Sequence, residues 1–395
     1  MSKKNILTGL DIGSHSIKMI SVFKKPGSND LELIKTTEPI SSEVRKGVVI
    51  DVSGVAKKIE KMVSTIEEKV DQKLESVYLA INGSHLSCFF SPGVVSVSRA
   101  DQKISQEDVE RVLQNCKILP LKSNQNKIIN IFSRGFNVDQ EGKVKDPVGM
   151  QGLRLEAEII AVCGFSPYLD NSVNSVINGN LDVEQCFPAP VASANAVLTE
   201  QDKEAGVLVI DIGACTTSLA VFEEGNLVHT KVFPVGSRNI THDIAVYFKI
   251  DIETAEKIKT EFGDLLSLKD QRIKVQTQEE SVSFSKKELK KVIEARLLEI
   301  LRLVKQELKL IDKNSLPAGV VLTGGGSQMS GLKELAKKEF KLATRIGLVS
   351  QINDPSFSTA WGLILEAQKE QEDEADNFFL KIIGKFKKLI KIFTP

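Results

Sequence analysis

Two stretches of the chain share one pattern of apolar and polar positions. Residues 6–23, ILTGLDIGSHSIKMISVF, and residues 207–222, VLVIDIGACTTSLAVF, each run apolar into Asp-Ile-Gly, pass a few small or polar residues, and then alternate. Period-two alternation broken at a glycine predicts strand, tight turn and strand, a hairpin whose turn carries the polar side chains. The same hairpin opening both halves of the chain predicts two similar α/β lobes that face each other.

Other periodicities fill in the rest. In AGVVLTGGGSQMSGLKELAKKEF (318–340), Val320–Leu322 reads as a short strand, Gly324–Gly326 as a tight turn, and Leu332 onward as a helix. Residues 283–311 predict a long amphipathic helix with a Ser285/Glu288 capping box and apolar positions 289, 292, 293, 297, 300, 301, 304 and 308. Its stripe is core, and Arg296, Arg302 and Lys305 lie on the opposite, solvated face. Between the hairpins, residues 84–165 read as three strand runs and one helix that starts at Ser105 and Asp108. Residues 366–376, with six acids and one lysine, read as a solvated linker. From 378 to 393, FFLKIIGKFKKLIKIF places Phe379, Ile382, Ile383, Phe386, Leu389, Ile390 and Phe393 on one helical arc, and Lys381, Lys385 and Lys388 opposite.

Composition narrows the class. At 395 residues, 42% hydrophobic and 26% charged, the chain predicts an ordinary globular protein of two or more domains. Lysine plus arginine and aspartate plus glutamate are both 52, so electrostatic function must come from local patches. Five scattered cysteines with no metal-like spacing to the four histidines predict buried small hydrophobes in a reducing, cytosolic compartment. Asp11 interrupts the early apolar run, so no signal peptide is expected, and no run of about 18 apolar residues predicts a membrane span.

The hairpin turns carry the chemistry. Gly13 and Gly213 lack Cβ, so backbone N–H groups there can approach an anion closely. Ser14, Ser16, Thr216 and Thr217 add hydroxyls, and Asp11 and Asp211 stand at strand ends where they can hold Mg²⁺ through water. A single Asp-Gly turn is most often only structural. Two in matched context are harder to dismiss, and the third glycine cluster, alone as likely a plain strand–helix turn as a ligand site, joins them in a set that resembles two phosphate loops and an adenosine loop.

These motifs, in this order, resemble the actin/Hsp70/sugar-kinase ATPase superfamily. Within it the chain resembles the FtsA family, on SVYLAINGSHLSC (76–88), DPVGMQGLRLEAEIIAV (146–162), FPVGSRNITHDIAVYF (233–248), AEKIKTEFG (255–263), VVLTGGGSQMSGL (320–332) and PSFSTAWGLIL (355–365). The resemblance implies a two-lobed actin-like (ribonuclease-H-like) α/β ATPase fold with an inserted small α+β subdomain. Its divisions are a first large subdomain at 1–83, 166–200 and 355–366, and an insert at 84–165 that serves partner contacts and polymerisation. A second large subdomain follows at 201–235 and 313–354, then a small subdomain at 236–312, an acidic linker at 367–377 and an amphipathic membrane-targeting helix at 378–395.

It also implies an ATP site. Gly13, Ser14, His15, Ser16 and Lys18 form the first phosphate loop, and Gly213, Ala214, Cys215 and Thr216 the second. Asp11 and Asp211 are the Mg²⁺-side carboxylates. Gly236, Thr241 and Asp243 line the ribose, Glu256 and Lys259 flank the adenosine, and Gly324, Gly325 and Gly326 close beneath the base. His15 either faces phosphate or stands on the loop surface; both readings stay open. Hydrolysing relatives place a Gln or Glu near the start of the linking helix, where this chain has Ala189 and Pro190, with Glu184 and Gln185 on the preceding strand. The expectation is ATP binding with slow turnover at most and no confident catalytic residue.

The implied function is to tether the FtsZ ring to the cytoplasmic face of the bacterial inner membrane at the division site. FtsZ would dock its acidic C-terminal peptide near Arg296. Self-polymerisation, contacts with later division proteins and no nucleic-acid partner complete the picture. A sugar-kinase-type phosphotransferase and an actin-like pilus-assembly ATPase are the alternatives. The tail suits the tether: residues 378–393 would make a helix about 24 Å long, too short to span a bilayer, and each lysine at mid-bilayer would cost roughly 2.5–3.5 kcal/mol. Half-burying seven large apolar side chains is worth about 5–10 kcal/mol gross, and each lysine near an anionic leaflet adds about 1 kcal/mol. The helix therefore lies on lipid reversibly, and several tails on one polymer hold better than one.

Overall fold

The computed structural model describes residues 6–24, 31–118, 125–267, 271–276, 281–313 and 315–376. The expected membrane helix, including Phe379, Ile382, Ile383, Phe386, Leu389, Ile390, Phe393, Lys381, Lys385 and Lys388, lies outside the described residues. Among the described residues, no helix is long and apolar enough to cross a membrane.

The chain opens with β1 (Ile6–Ile12), β2 (Ser16–Lys24), β3 (Leu31–Pro39), a small hairpin of β4 (Val44–Arg45) and β5 (Val48–Val49), α1 (Val52–Val70) and β6 (Ser76–Ile81). The insert follows as β7 (Ser87–Ser96), α2 (Gln106–Cys116), β8 (Asn126–Val138), β9 (Lys143–Val144) and β10 (Arg154–Phe165). The first lobe resumes with α3 (Ser166–Ile177), β11 (Asp182–Pro188), α4 (Ala189–Val197) and α5 (Glu200–Ala205). The second lobe begins with β12 (Val207–Ile212), β13 (Thr217–Glu223), β14 (Asn226–Phe233), α6 (Ser237–Phe248) and α7 (Ile252–Phe262). It continues through β15 (Arg272–Gln276), β16 (Ser281–Ser285), α8 (Lys286–Leu310), β17 (Gly319–Thr323), α9 (Leu332–Phe340) and β18 (Thr344–Ile346), and α10 (Ser358–Asp376) returns to the first lobe.

The lobes repeat one sheet. The first is ordered β11-β6-β1-β2-β3 and the second β18-β17-β12-β13-β14. In each, an antiparallel meander leads and parallel strands follow. Even the register repeats: Asp11 pairs with Lys18 and Ile12 with Ile17, while Asp211 pairs with Ser218 and Ile212 with Thr217. Continuous apolar runs in the central strands fit this, because both faces are covered. Leu10, Ile17 and Met19 pack with Ile59, Met62 and Ile66 of α1 in the first lobe. Ile210, Ile212 and Leu219 pack with Ile244, Ile258 and Leu297 of α6, α7 and α8 in the second. The opposite faces are covered crosswise: α10 packs on β1, while α4 packs on α10 and on β13.

The insert has its own four-stranded sheet, ordered β7-β10-β8-β9, and its own core, in which Val109 and Val112 of α2 meet Leu155, Ala157 and Ile159. Its other face joins the main body through Ile160 and Val162, which share a cluster with Phe187, Phe222 and Leu227. α2 starts with a reciprocal capping box in which Ser105 and Asp108 each bond the other's backbone N–H. Burial works against the Asp108 carboxylate, but bonds from Ser105, Arg111 and Ser98 outweigh it and hold its pKa far below the usual range. At α8, Ser285 accepts from the N–H groups of Lys287 and Glu288, and Leu289, Ile293, Leu297, Ile300, Leu301, Val304 and Leu308 form its buried stripe.

One expectation is corrected. The acidic stretch after residue 366 is not a loose linker, because α10 runs unbroken to Asp376. Ala, Glu, Gln and Lys are good helix formers. Ala367 is fully buried, and Lys369 lies 3.8 Å from Glu366 one turn away. The five cysteines are all free. Burial pushes the Cys116 thiol up to about 11 and the Cys163 and Cys186 thiols up to about 12, as inert packing residues.

Candidate functional site

The two hairpin turns are closed identically. Gly13 donates to the Ser16 carbonyl at 3.2 Å, and Gly213 to the Thr216 carbonyl at 2.8 Å. The carbonyls between are taken up elsewhere: His15 O accepts from Ile40, Gly213 O from Ser237, and Ala214 O from Arg238. The backbone N–H groups of Ser14, His15, Ala214 and Cys215 have no protein acceptor among the described residues. Each turn thus keeps two adjacent free donors, the arrangement of an anion-binding nest.

Asp11 and Asp211 end the strands beneath these turns. Asp11 is 8% exposed and Asp211 is partly buried. Burial raises the Asp11 pKa against the pull of Lys18. Burial, and then the like charge of Asp11, push Asp211 up to about 6, with Lys18, Ser193 and Thr359 opposing. The Thr359 hydroxyl lies 3.4 Å from the Asp211 carboxylate. A buried and a partly buried carboxylate, mutually repelling and with hydroxyl neighbours, fit a divalent cation. Among the described residues no cluster of three His, Cys, Asp or Glu side chains could hold one directly, so water and phosphate oxygens would complete its shell.

The second lobe supplies the remaining candidates. α6 begins against its turn: Ser237 N–H donates to Gly213 O at 2.9 Å and Arg238 N–H to Ala214 O at 2.7 Å. Gly236 permits this contact, because a Cβ there would stand 2.6 Å from both carbonyl oxygens. On the facing turn of α7, Lys259 donates to Glu256 at 2.7 Å and to the Thr241 hydroxyl at 2.9 Å. Burial tends to raise the Glu256 carboxyl, but bonds from Lys259 and Thr241 lower it overall. Gly324 has φ +82°, and a Cβ there would lie 2.1 Å from an Asp211 oxygen, so the glycine turn passes directly over the carboxylate. Gly325 and Gly326 start the 3₁₀ turn that follows. A crevice of about 710 Å³ adjoins it, lined by Ser327, Gln328, Met329, Asn353 and Pro355 among others.

The structure therefore gathers Gly13, Ser14, His15, Ser16, Lys18, Gly213, Ala214, Cys215, Thr216 and Gly236 around two facing turns. Asp243 and Arg296 meet each other instead: the guanidinium grips the carboxylate at 2.6 and 2.8 Å and also bonds Glu299 at 2.7 Å. Their 53-residue separation hides this pair from a reading of local motifs. Ala189 and Pro190 head α4 and are buried.

A family model described as cell division protein FtsA matches residues 208–362, and one described as an SHS2 domain inserted in FtsA matches 83–163. Cell division protein FtsA of Borreliella burgdorferi is 32% identical, covering 98% of this chain and 96% of that one. The FtsA of Escherichia coli K12 is 32% identical over 91% of this chain and 90% of that one. The chain belongs to the FtsA family. It is an actin-like cell-division protein with the family's inserted domain. Among solved structures, a PilM–PilN type IV pilus biogenesis complex matches with TM-score 0.66 at 17% identity, covering 91% of this chain and 98% of that one. MreB5 of Spiroplasma citri bound to ADP matches with TM-score 0.55 at 14% identity, covering 94% and 99%. At such identity both speak for the fold.

In this FtsA-family chain, motif reading missed several residues at the turns. Gly47, at the tip of the β4–β5 hairpin with φ +78°, donates its N–H to the Ser14 hydroxyl at 2.9 Å. Lys46-Gly47, both with positive φ between two short strands, is the one local signal that could have found it. Arg238 reaches the Ser14 carbonyl at 3.2 Å across 224 residues of sequence, and Ser193 and Thr359 approach Asp211 from the crossing helices. No local pattern marks these.

Proposed function

We propose that this FtsA-family protein binds MgATP between its lobes and uses that binding to control self-association. Through it an FtsZ polymer is joined to the cytoplasmic face of the bacterial membrane at the division site. The observation that supports this most is the pair of matched turns with unpartnered N–H groups above a buried and a partly buried carboxylate. The N–H groups of Ser14, His15, Ala214 and Cys215, with Lys18, would hold the phosphates. Asp11 and Asp211 would hold Mg²⁺ through water, and the metal supplies neutralisation of phosphate charge. Thr241, Glu256 and Lys259 form a network suited to the sugar and base, and the Gly324–Gly326 turn lets the base approach the backbone.

No acid or amide heads α4, so hydrolysis is expected below about 1 s⁻¹. Arg296 on α8 stays the candidate for an acidic FtsZ peptide, which would compete with Asp243 and Glu299 for it. Residues 378–395 supply the lipid contact. The test is co-sedimentation with anionic vesicles, with and without ATP and residues 377–395. The proposal expects vesicle binding that ATP strengthens and the deletion abolishes. Binding indifferent to both would refute it.

A further inference from the structure

Arg238, the second residue of α6, does two things at once. Its backbone N–H holds the second-lobe turn, and its guanidinium donates to the Ser14 carbonyl of the first-lobe turn at 3.2 Å. The side chain is partly buried, and among the described residues no carboxylate pairs with it. One long bond to a neutral carbonyl leaves most of the five donors of this partly buried guanidinium without a protein acceptor among the described residues.

Its neighbours sharpen the point. Lys259, the nearby second-lobe cation, is neutralised by Glu256 at 2.7 Å. Lys18, on the first lobe, stands across the strand pair from Asp11. His15, next to Ser14, stands exposed on the loop surface; its pKa is lowered, by partial desolvation first and then by Arg238, Lys18 and Lys259, against Glu256. The cations, and not the desolvation, which disfavours charge of either sign, are what favour an anion at this turn.

We propose that Arg238 is the second-lobe ligand of the nucleotide's phosphate chain, exchanging the Ser14 carbonyl for phosphate oxygens and so tying phosphate occupancy to the junction of the lobes. This rests on the nucleotide reading above. A phosphate offers the planar fork two charged acceptors where the carbonyl offers one neutral acceptor. Because the guanidinium already spans the junction, it needs only a change of partner.

The experiment measures equilibrium binding of ATP, ADP and AMP, with Mg²⁺, to the full chain and to Arg238→Met and Arg238→Lys. Methionine keeps the aliphatic packing and removes the charge. The proposal expects Arg238→Met to weaken ATP and ADP by about tenfold or more and AMP by less than about threefold, with lysine intermediate. If wild type binds ATP and Arg238→Met binds it as tightly, the proposal is overturned while the nucleotide reading stands. Equal losses for all three nucleotides, or lysine no better than methionine, also overturn it, since they mark a structural role. If wild type binds no adenine nucleotide, the nucleotide reading fails and takes this proposal with it.

Discussion

The two hairpins share strand order, register and turn closure, yet their carboxylates live differently. Asp11 has Lys18 directly across its strand pair, whereas Asp211 has Ser218 there and feels Lys18 only from the facing lobe, with hydroxyls from α4 and α10 beside it. Burial raises both carboxylates, and the like charge of Asp11 adds to the burial that pushes Asp211 up to about 6. A duplicated backbone can thus hold unlike electrostatics. The first lobe brings its own cation, and the second brings a helix start held to its turn at Gly236, an arginine with no carboxylate partner among the described residues, and the Thr241–Glu256–Lys259 network.

The largest way to break this comparison is Asp211→Asn. It should weaken Mg²⁺-dependent ATP binding by about a hundredfold or more, since a buried charged contact to the metal shell is removed. The same change should stabilise the ligand-free protein. The folded-state pKa lies above the ordinary carboxylate value near 3.9, so wild type loses stability as pH rises from about 4 to about 6 and stays level above. Asparagine removes that loss. Solvent in the open cleft discounts the full linkage value, leaving a gain of about 1–2 kcal/mol at pH 7.5 that closes as pH falls towards 4. Denaturant melts across that range check it, and a variant less stable than wild type at pH 7.5 would contradict it.

Next in size is Lys18→Met, which makes the first hairpin resemble the second. ATP affinity should fall by about tenfold, and Asp11 should titrate higher still, observable by carboxyl NMR. Affinity unchanged within about twofold would mean that the asymmetry has no functional weight. The smallest test is Thr359→Val. At 3.4 Å its hydroxyl gives Asp211 only weak relief, so the Asp211 titration should rise slightly and ATP affinity should change by less than about threefold. A loss as large as that of Lys18→Met would show that α10, and not the hairpin, sets the carboxylate.

What the sequence disclosed and what it hid divide by range. The hairpins, the glycine turn, the stripe of α8 and the Ser105 cap were legible because period and capping are local. The acidic stretch misled because charge density alone does not distinguish a solvated linker from a helix with Ala367 buried beneath it. Arg238, Thr359 and the Asp243–Arg296 pair were invisible because each joins segments far apart in sequence: the start of α6 with the first turn, α10 with the end of β12, and α6 with α8.

The most direct measurement is calorimetric titration of ATP into the full chain with Mg²⁺, with EDTA, and with Asp211→Asn. The account predicts binding with Mg²⁺, binding weakened by at least about tenfold in EDTA, and loss in the variant. No binding, or binding indifferent to metal and to Asp211, would contradict it.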